Sequence, residues 1–167
     1  REMVDHNTFP DYIQIDGAEG GTGAAPPAFL NSLGVPRIQG QILADRILRE
    51  EGVRNQTKLI TSGKIAMPDD VVLAMALGAD AVSIARGSMM AVGCIQAREC
   101  SDNSCPVGLA TQDPKRFKHL HPKLRGQFHA NYMNILYKDT KAMLAAMGKK
   151  SFSDLGIDDV VDLSVLE

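Results

Sequence analysis

Neither sign of charge is in surplus: eighteen Lys and Arg stand against twenty Asp and Glu, a formal charge of −2. That balance argues against a nucleic-acid binder working through a basic face. No run of about eighteen apolar residues occurs, and no charged-then-apolar leader opens the chain, so neither a membrane span nor a secretion signal is expected in this stretch. Cysteine is scarce. The three present, an odd number, cannot make a closed disulfide framework, and all fall between Cys94 and Cys105. This points to a reducing, cytoplasmic compartment and to a metal or redox role. Low-complexity segments are absent, as is any fixed-period repeat beyond the βα unit described below. Arg1-Glu2-Met3 runs straight into structured-looking sequence, which reads as a truncated or processed chain.

The 167 residues, 44% of them hydrophobic, suffice for one core. Asp11-Tyr-Ile-Gln-Ile-Asp16 is rich in β-branched and aromatic residues and is expected to be a strand. A glycine-rich loop follows, Gly17 to Pro27. A helix is predicted over Gln39 to Glu51, with Ile42, Leu43, Ile47 and Leu48 as its apolar stripe and Gly52 as a left-handed stop. The unit then repeats. Lys58 to Ser62 reads as a strand, Gly63 to Ala66 as a loop, and Pro68 to Leu77 as a helix opened by Pro and Asp, closed by Gly78. A third strand is expected over Ala81 to Ala85, then a small-residue segment leading to Cys94. The last helix is placed at roughly Gln127 to Met147, with Phe128, Tyr132, Leu136, Met143 and Met147 on one face. Alternating strands and helices imply parallel pairing. Three strands do not close a parallel barrel, which needs about eight.

The cysteine spacing Cys94-x5-Cys100-x4-Cys105, with Pro106 next, is the most informative motif. Three closely spaced thiolates suit a cluster with three irons, one protein ligand each. A straight helix would hold Cys94 and Cys100 about 9 Å apart, so the chain is expected to bend between them. A zinc site completed by His119 or His121, or three unligated cysteines, are the alternatives that spacing leaves open. Ser62-Gly63-Lys64 and Ala85-Arg86-Gly87 each follow a strand, where parallel barrels commonly bind phosphate; Arg86 can add a bidentate contact. The simpler alternative is two tight turns and a solvated arginine. The Gly17 to Pro27 loop leaves little bulk over a strand end, and loops this long are commonly functional, although a plain connector fits as well. Asp16 and Glu19 are candidates for orienting a substrate amine or water. His6, His119, His121 and His129 have no demanding spacing and read as surface or capping residues.

Together, Ile15-Asp-Gly-Ala-Glu-Gly-Gly-Thr-Gly-Ala-Ala-Pro26, Leu77-Gly-Ala-Asp-Ala81 and the run from Cys94 through Cys-Pro-Val-Gly-Leu-Ala-Thr-Gln112 resemble the FMN-binding synthase domain of glutamate synthases and their stand-alone relatives. The likeness extends through nearly the whole chain, to the segment around Phe152 to Leu163, and covers the C-terminal part of the family's barrel. It implies an α/β fold, about three βα units of a parallel (β/α)8 TIM barrel plus a C-terminal helix, spanning residues 1–148 with an iron–sulfur loop at 94–112 and a tail at 149–167. It further implies FMN and a 3Fe–4S cluster on Cys94, Cys100 and Cys105. Flavin-phosphate contacts then fall on Ser62, Gly63, Lys64, Ala85, Arg86 and Gly87, and the pocket lining on Gly20, Gly21, Thr22 and Gly23.

The implied activity is an oxidoreductase acting on CH–NH2 donors, which reduces 2-iminoglutarate, formed from 2-oxoglutarate and ammonia, to glutamate. Electrons would come from a donor subunit or ferredoxin, and self-association is one way to complete the barrel. Fused glutaminase members carry Trp-Glu after the proline matching Pro36; here Arg37-Ile38 follows. That departure argues for ammonia, or an amine from a separate partner, over glutamine-derived ammonia from a fused domain. Three competing readings remain: an N-methylglutamate-forming variant, another FMN barrel such as a hydroxy-acid oxidase (which leaves the cysteines unexplained), and a catalytically silent barrel fragment.

Overall fold

A sheet of three short parallel strands carries the architecture of this computed structural model, which describes residues 2–6, 8–20, 29 and 33–159. Helix α1 (Glu2–Asp5) precedes β1 (Tyr12–Asp16). Then come α2 (Arg37–Glu50), β2 (Lys58–Ser62), α3 (Pro68–Ala76), β3 (Ala81–Ser83), α4 (Arg86–Ala91), α5 (Pro114–Phe117) and α6 (Pro122–Ala146). The order across the sheet is β1-β2-β3. Pairing runs in register from Tyr12↔Lys58 to Asp16↔Ser62, and from Ile60↔Ala81 to Ser62↔Ser83. The expected α/β pattern is thus present, as an open sheet compatible with part of a barrel.

Two apolar clusters flank the sheet. Leu48 of α2, Val53 and Leu59 of β2 pack with Phe9, Ile13, Ile15 and Ala44. Ile65, Val71, Ala74, Ala79 and Leu136 pack with Val82, Ile84, Tyr132 and Phe152. Leu59 is wholly buried because β2 is the central strand and is covered by a helix.

Several elements differ from expectation in instructive ways. Helix α2 buries Arg37, Gln41 and Leu48, whereas Leu43 and Ile47 are exposed; of the expected stripe Leu48 faces the core, and two polar residues at i, i+4 spacing share its inward face. Gly52 does adopt the left-handed conformation, with φ +72°, and Val53 N–H closes the end on Leu48 C=O at 3.0 Å. Strand β3 stops at Ser83, and the small-residue segment forms helix α4. Helix α6 starts at Pro122, well before Gln127, because Pro suits a first turn whose N–H has no partner. It buries Leu136, Thr140 and Leu144, while Phe128 and Met147 of the expected stripe face outward.

A polar network locks the N-terminal ends of the strands. Arg54 Nε pairs with Asp45 at 2.6 Å and Arg54 Nη2 with Asp80 at 2.9 Å. Asp80 also accepts Leu59 N–H at 2.8 Å. Burial acts to raise the Asp80 carboxyl, but the Leu59 amide, Arg54 and Lys58 outweigh it and hold it below its usual value.

Leu59→Ala leaves a cavity in the central strand and should cost about 3 kcal/mol, read as a lower urea midpoint with an unchanged slope. A depressed Asp80 stabilises the fold at any pH above its unfolded value of about 3.9. That contribution disappears as pH falls through the lower folded value. In Asp80→Asn the stability profile should therefore be flatter across the acid limb; a profile parallel to wild type would remove Asp80 from the account.

Candidate functional site

Because the strands are parallel and in register, Asp16, Ser62 and Ser83 end at one level, and the turns beyond them face one another. The turn after β1 is tied to the next strand by Gly17 N–H on Ser62 C=O at 3.1 Å. The turn after β2 has two consecutive residues at positive φ, Gly63 at +132° and Lys64 at +52°. For lysine this costs on the order of 1 kcal/mol, a strain that tends to collect at functional sites.

Arg37 joins these turns. Its side chain is 5% exposed, and its Nε donates to Gly63 C=O at 3.0 Å. Its backbone N–H, an unpaired donor at the start of α2, is accepted by both carboxylate oxygens of Glu19 at 3.1 Å each. Glu19 is therefore a long-range helix cap, not a loose acid. Burial lowers the Arg37 guanidinium from its ordinary value, and Glu19 and Asp70 oppose that shift. Two glycines make room for the clamp. A Cβ on Gly17 would run into the Arg37 backbone, and one on Gly63 would press Glu19 Cγ at 3.2 Å.

The cysteine segment leaves α4 with Cys94 N–H on Met89 C=O at 3.0 Å. Residues 94–99 have no regular structure, and Gln96 and Arg98 are left-handed, with φ +55° and +60°. The expected bend between the first two cysteines is present. Cys94 Sγ accepts Gln96 N–H at 3.4 Å. Asn103, left-handed at φ +57°, locks the far side. Its side-chain oxygen accepts Gln112 N–H at 2.6 Å and the Thr111 hydroxyl at 3.0 Å. Burial acts to raise the Cys105 thiol, but the backbone amides of Ala110, Val107, Leu109 and Gly108 outweigh it and favour the thiolate.

These parts surround one cavity of about 640 Å³, within the range of cofactor sites. Its walls include Ser62, Gly63, Lys64, Ala85 and Arg86 together with Cys94, Cys100 and Cys105. Met89, Met90, Ile95, Pro106 and Val107 make much of the rest apolar, and Asp16 and Glu19 stand at one side. Gly87 is not on this wall. It is buried against α6, where a Cβ would strike the Tyr132 hydroxyl, so its small size serves helix packing. Gly20 closes a 3-10 turn, and Gly21, Thr22 and Gly23 lie outside the described residues.

The donor chemistry suits an iron–sulfur cluster: three free cysteines on one wall, with amides directed at sulfur. Yet among the described residues no three His, Cys, Asp or Glu side chains stand close enough to hold a metal ion, and this includes His119 and His121. No described helix is long and apolar enough to cross a membrane.

Nothing local in the sequence marks Arg37 as a site-organising residue, because its partners Glu19 and Gly63 lie eighteen and twenty-six residues away. His129, expected as a surface or capping residue, is half-buried, and its Nε2 lies 3.1 Å from Ser88 Oγ.

Comparison with known proteins gives these features a lineage. Residues 3–150 match the family model described as the conserved region in glutamate synthase. The glutamate synthase large subunit-like protein YerD of Bacillus subtilis is 43% identical over 149 residues, covering 89% of this chain and 28% of that protein. The archaeal-type glutamate synthase (NADPH) of Thermotoga maritima is 39% identical over 145 residues, 87% of this chain and 29% of its own length. The glutamate synthase (NADPH) large chain of Bacillus subtilis is 36% identical over 157 residues, 92% of this chain and 10% of its own. The chain thus spans less than a third of each relative. By the extent of these matches, the chain belongs to the glutamate synthase family.

Proposed function

We propose that this chain forms part of a glutamate-synthase-type oxidoreductase that reduces 2-iminoglutarate, from 2-oxoglutarate and ammonia, to glutamate. The observation that carries the reading is that the two strand-end turns and all three cysteines share one cavity. When bound, FMN would supply hydride to the imine carbon, and a 3Fe–4S cluster would feed it single electrons.

The chain's own residues supply holding, charge and exclusion of water. Ser62, Gly63 and Lys64 with Ala85 and Arg86 are the residues that would hold the flavin phosphate. Lys64 and Arg86 balance its charge, and Arg86 offers two parallel donors. Cys94, Cys100 and Cys105 would ligate the cluster, and Cys105 is already biased toward the thiolate that a metal requires. Met89, Met90 and Ile95, exposed in this chain, are apolar surface that a bound flavin ring would cover, which would dry the site and strengthen the charged contacts beside it. Asp16 is free to face a cationic iminium nitrogen, whereas the Glu19 carboxylate is engaged at Arg37 N–H. The polypeptide beyond this chain would complete the substrate's carboxylate contacts.

Anaerobically purified intact protein should show flavin and cluster absorbance, and should form glutamate from 2-oxoglutarate and ammonia with a reduced electron donor. In Cys100→Ala the iron content should collapse while flavin stays; iron unchanged from wild type would remove the three-cysteine ligation. Arg86→Ala should weaken FMN retention by roughly tenfold, the scale of one charge-assisted contact, measured by flavin fluorescence on dilution.

A further inference from the structure

A buried arginine whose side chain reaches a single loop carbonyl fixes more than that carbonyl. The peptide joining Gly63 and Lys64 is planar and trans, so its C=O and the following N–H point in opposite directions. Arg37 Nε holds the Gly63 C=O at 3.0 Å on the buried side. Arg37 is absent from the cavity wall, whereas Gly63 and Lys64 both belong to it. The Lys64 N–H is therefore turned toward the cavity, and it meets no acceptor among the described residues. Left alone, a turn with Gly63 at φ +132° and Lys64 at +52° would relax and let this peptide flip. Here the clamp is held in place: Glu19 anchors Arg37 through the α2 amide, and a Cβ on Gly17 would strike the Arg37 backbone while one on Gly63 would press Glu19 and Arg37 Cβ.

We infer that Arg37 is a positioning residue for anion recognition: by pinning the Gly63 carbonyl inward it aims the Lys64 amide at a phosphate monoester in the cavity. This deepens the proposed flavin reading and rests on it. A peptide N–H costs nothing to reorient if it is fixed before the ligand arrives, which is how such preorganised donors gain their effect. The isoalloxazine ring carries no comparable anion, so the effect of Arg37 should fall on the phosphate and leave the ring alone.

The test compares FMN with riboflavin, which lacks only the phosphate, in the intact protein. Wild type should prefer FMN. In Arg37→Met that preference should fall by roughly tenfold, the loss expected for one donor to a charged acceptor, with riboflavin affinity unchanged. Arg37→Gln removes the charge but keeps a nitrogen donor at the position of Nε, so it should retain most of the preference; it also carries the test if the Met variant does not fold. A Gln variant that loses the preference as fully as the Met variant would mean that charge alone acts, and would overturn the inference. So would equal weakening of both flavins, the mark of a merely structural residue. Wild type that binds both flavins equally would overturn it together with the assignment of the two turns to the phosphate, while leaving flavin binding itself in place. Wild type that binds neither would overturn both. As an independent readout, the Lys64 amide resonance should shift on adding inorganic phosphate to wild type and stay still in Arg37→Met; no shift in wild type removes the amide from the site.

Discussion

Parallel pairing without a register offset is the constraint from which the rest of this structure follows. Asp16, Ser62 and Ser83 are opposite one another in the ladder, so each strand delivers its outgoing turn to the same level. A shift of one residue between β1 and β2 would turn Ile13 and Ile15 away from Leu48 and Leu59. It would also carry Gly17 off Ser62 and break the contact of Glu19 with α2. The apolar cluster and the cavity are thus set by one geometric choice.

The two ends of the sheet are built from different materials. At the N-terminal ends, charges are closed upon one another: Arg54 is shared between Asp45 and Asp80, and Asp80 spends one oxygen on a strand amide. At the C-terminal ends, Lys64 and Arg86 point into a cavity together with Asp16. Such a division suits a scaffold in which one rim holds the strands together and the other meets a ligand.

Much of this was readable in the chain, for identifiable reasons. Strand β2 and helix α3 were clear because a β-branched run is followed by Pro-Asp-Asp and then small apolar residues, all local signals. The Gly52 stop was legible because only a residue without Cβ adopts that turn cheaply. The bend between Cys94 and Cys100 followed from helix geometry once the two sulfurs were required to reach one cluster. What escaped depends on partners distant in sequence. Arg37 finds Gly63 twenty-six residues away and Glu19 eighteen residues away, and no local pattern marks an arginine as interior. Gly87 follows Arg86 as a phosphate-turn glycine would, and what the sequence could not show is that its missing Cβ also makes room for Tyr132 on α6. The middle of the α6 stripe was right, with Leu136 buried and Tyr132 packed on its cluster, but its ends Phe128 and Met147 are apolar yet lie on the solvent side of a helix whose contact face includes Thr140.

The cysteine segment has a mechanical consequence. Cys94 is fastened to the end of α4 by its own amide on Met89. Cys105 belongs to a loop that Asn103 staples to Thr111 and Gln112, with Arg116 adding a bond to Ser104 C=O at 2.8 Å. Residues 95–99 join the two anchorages, and each end of that link is tied down: Gln96 Nε2 donates to Met90 Sδ at 2.7 Å on the α4 side, and Ser104 N–H donates to Glu99 C=O at 3.2 Å on the other. A change in the spacing between the first sulfur and the last would therefore fall on Ala97 and Arg98, between the two ties and away from the sheet.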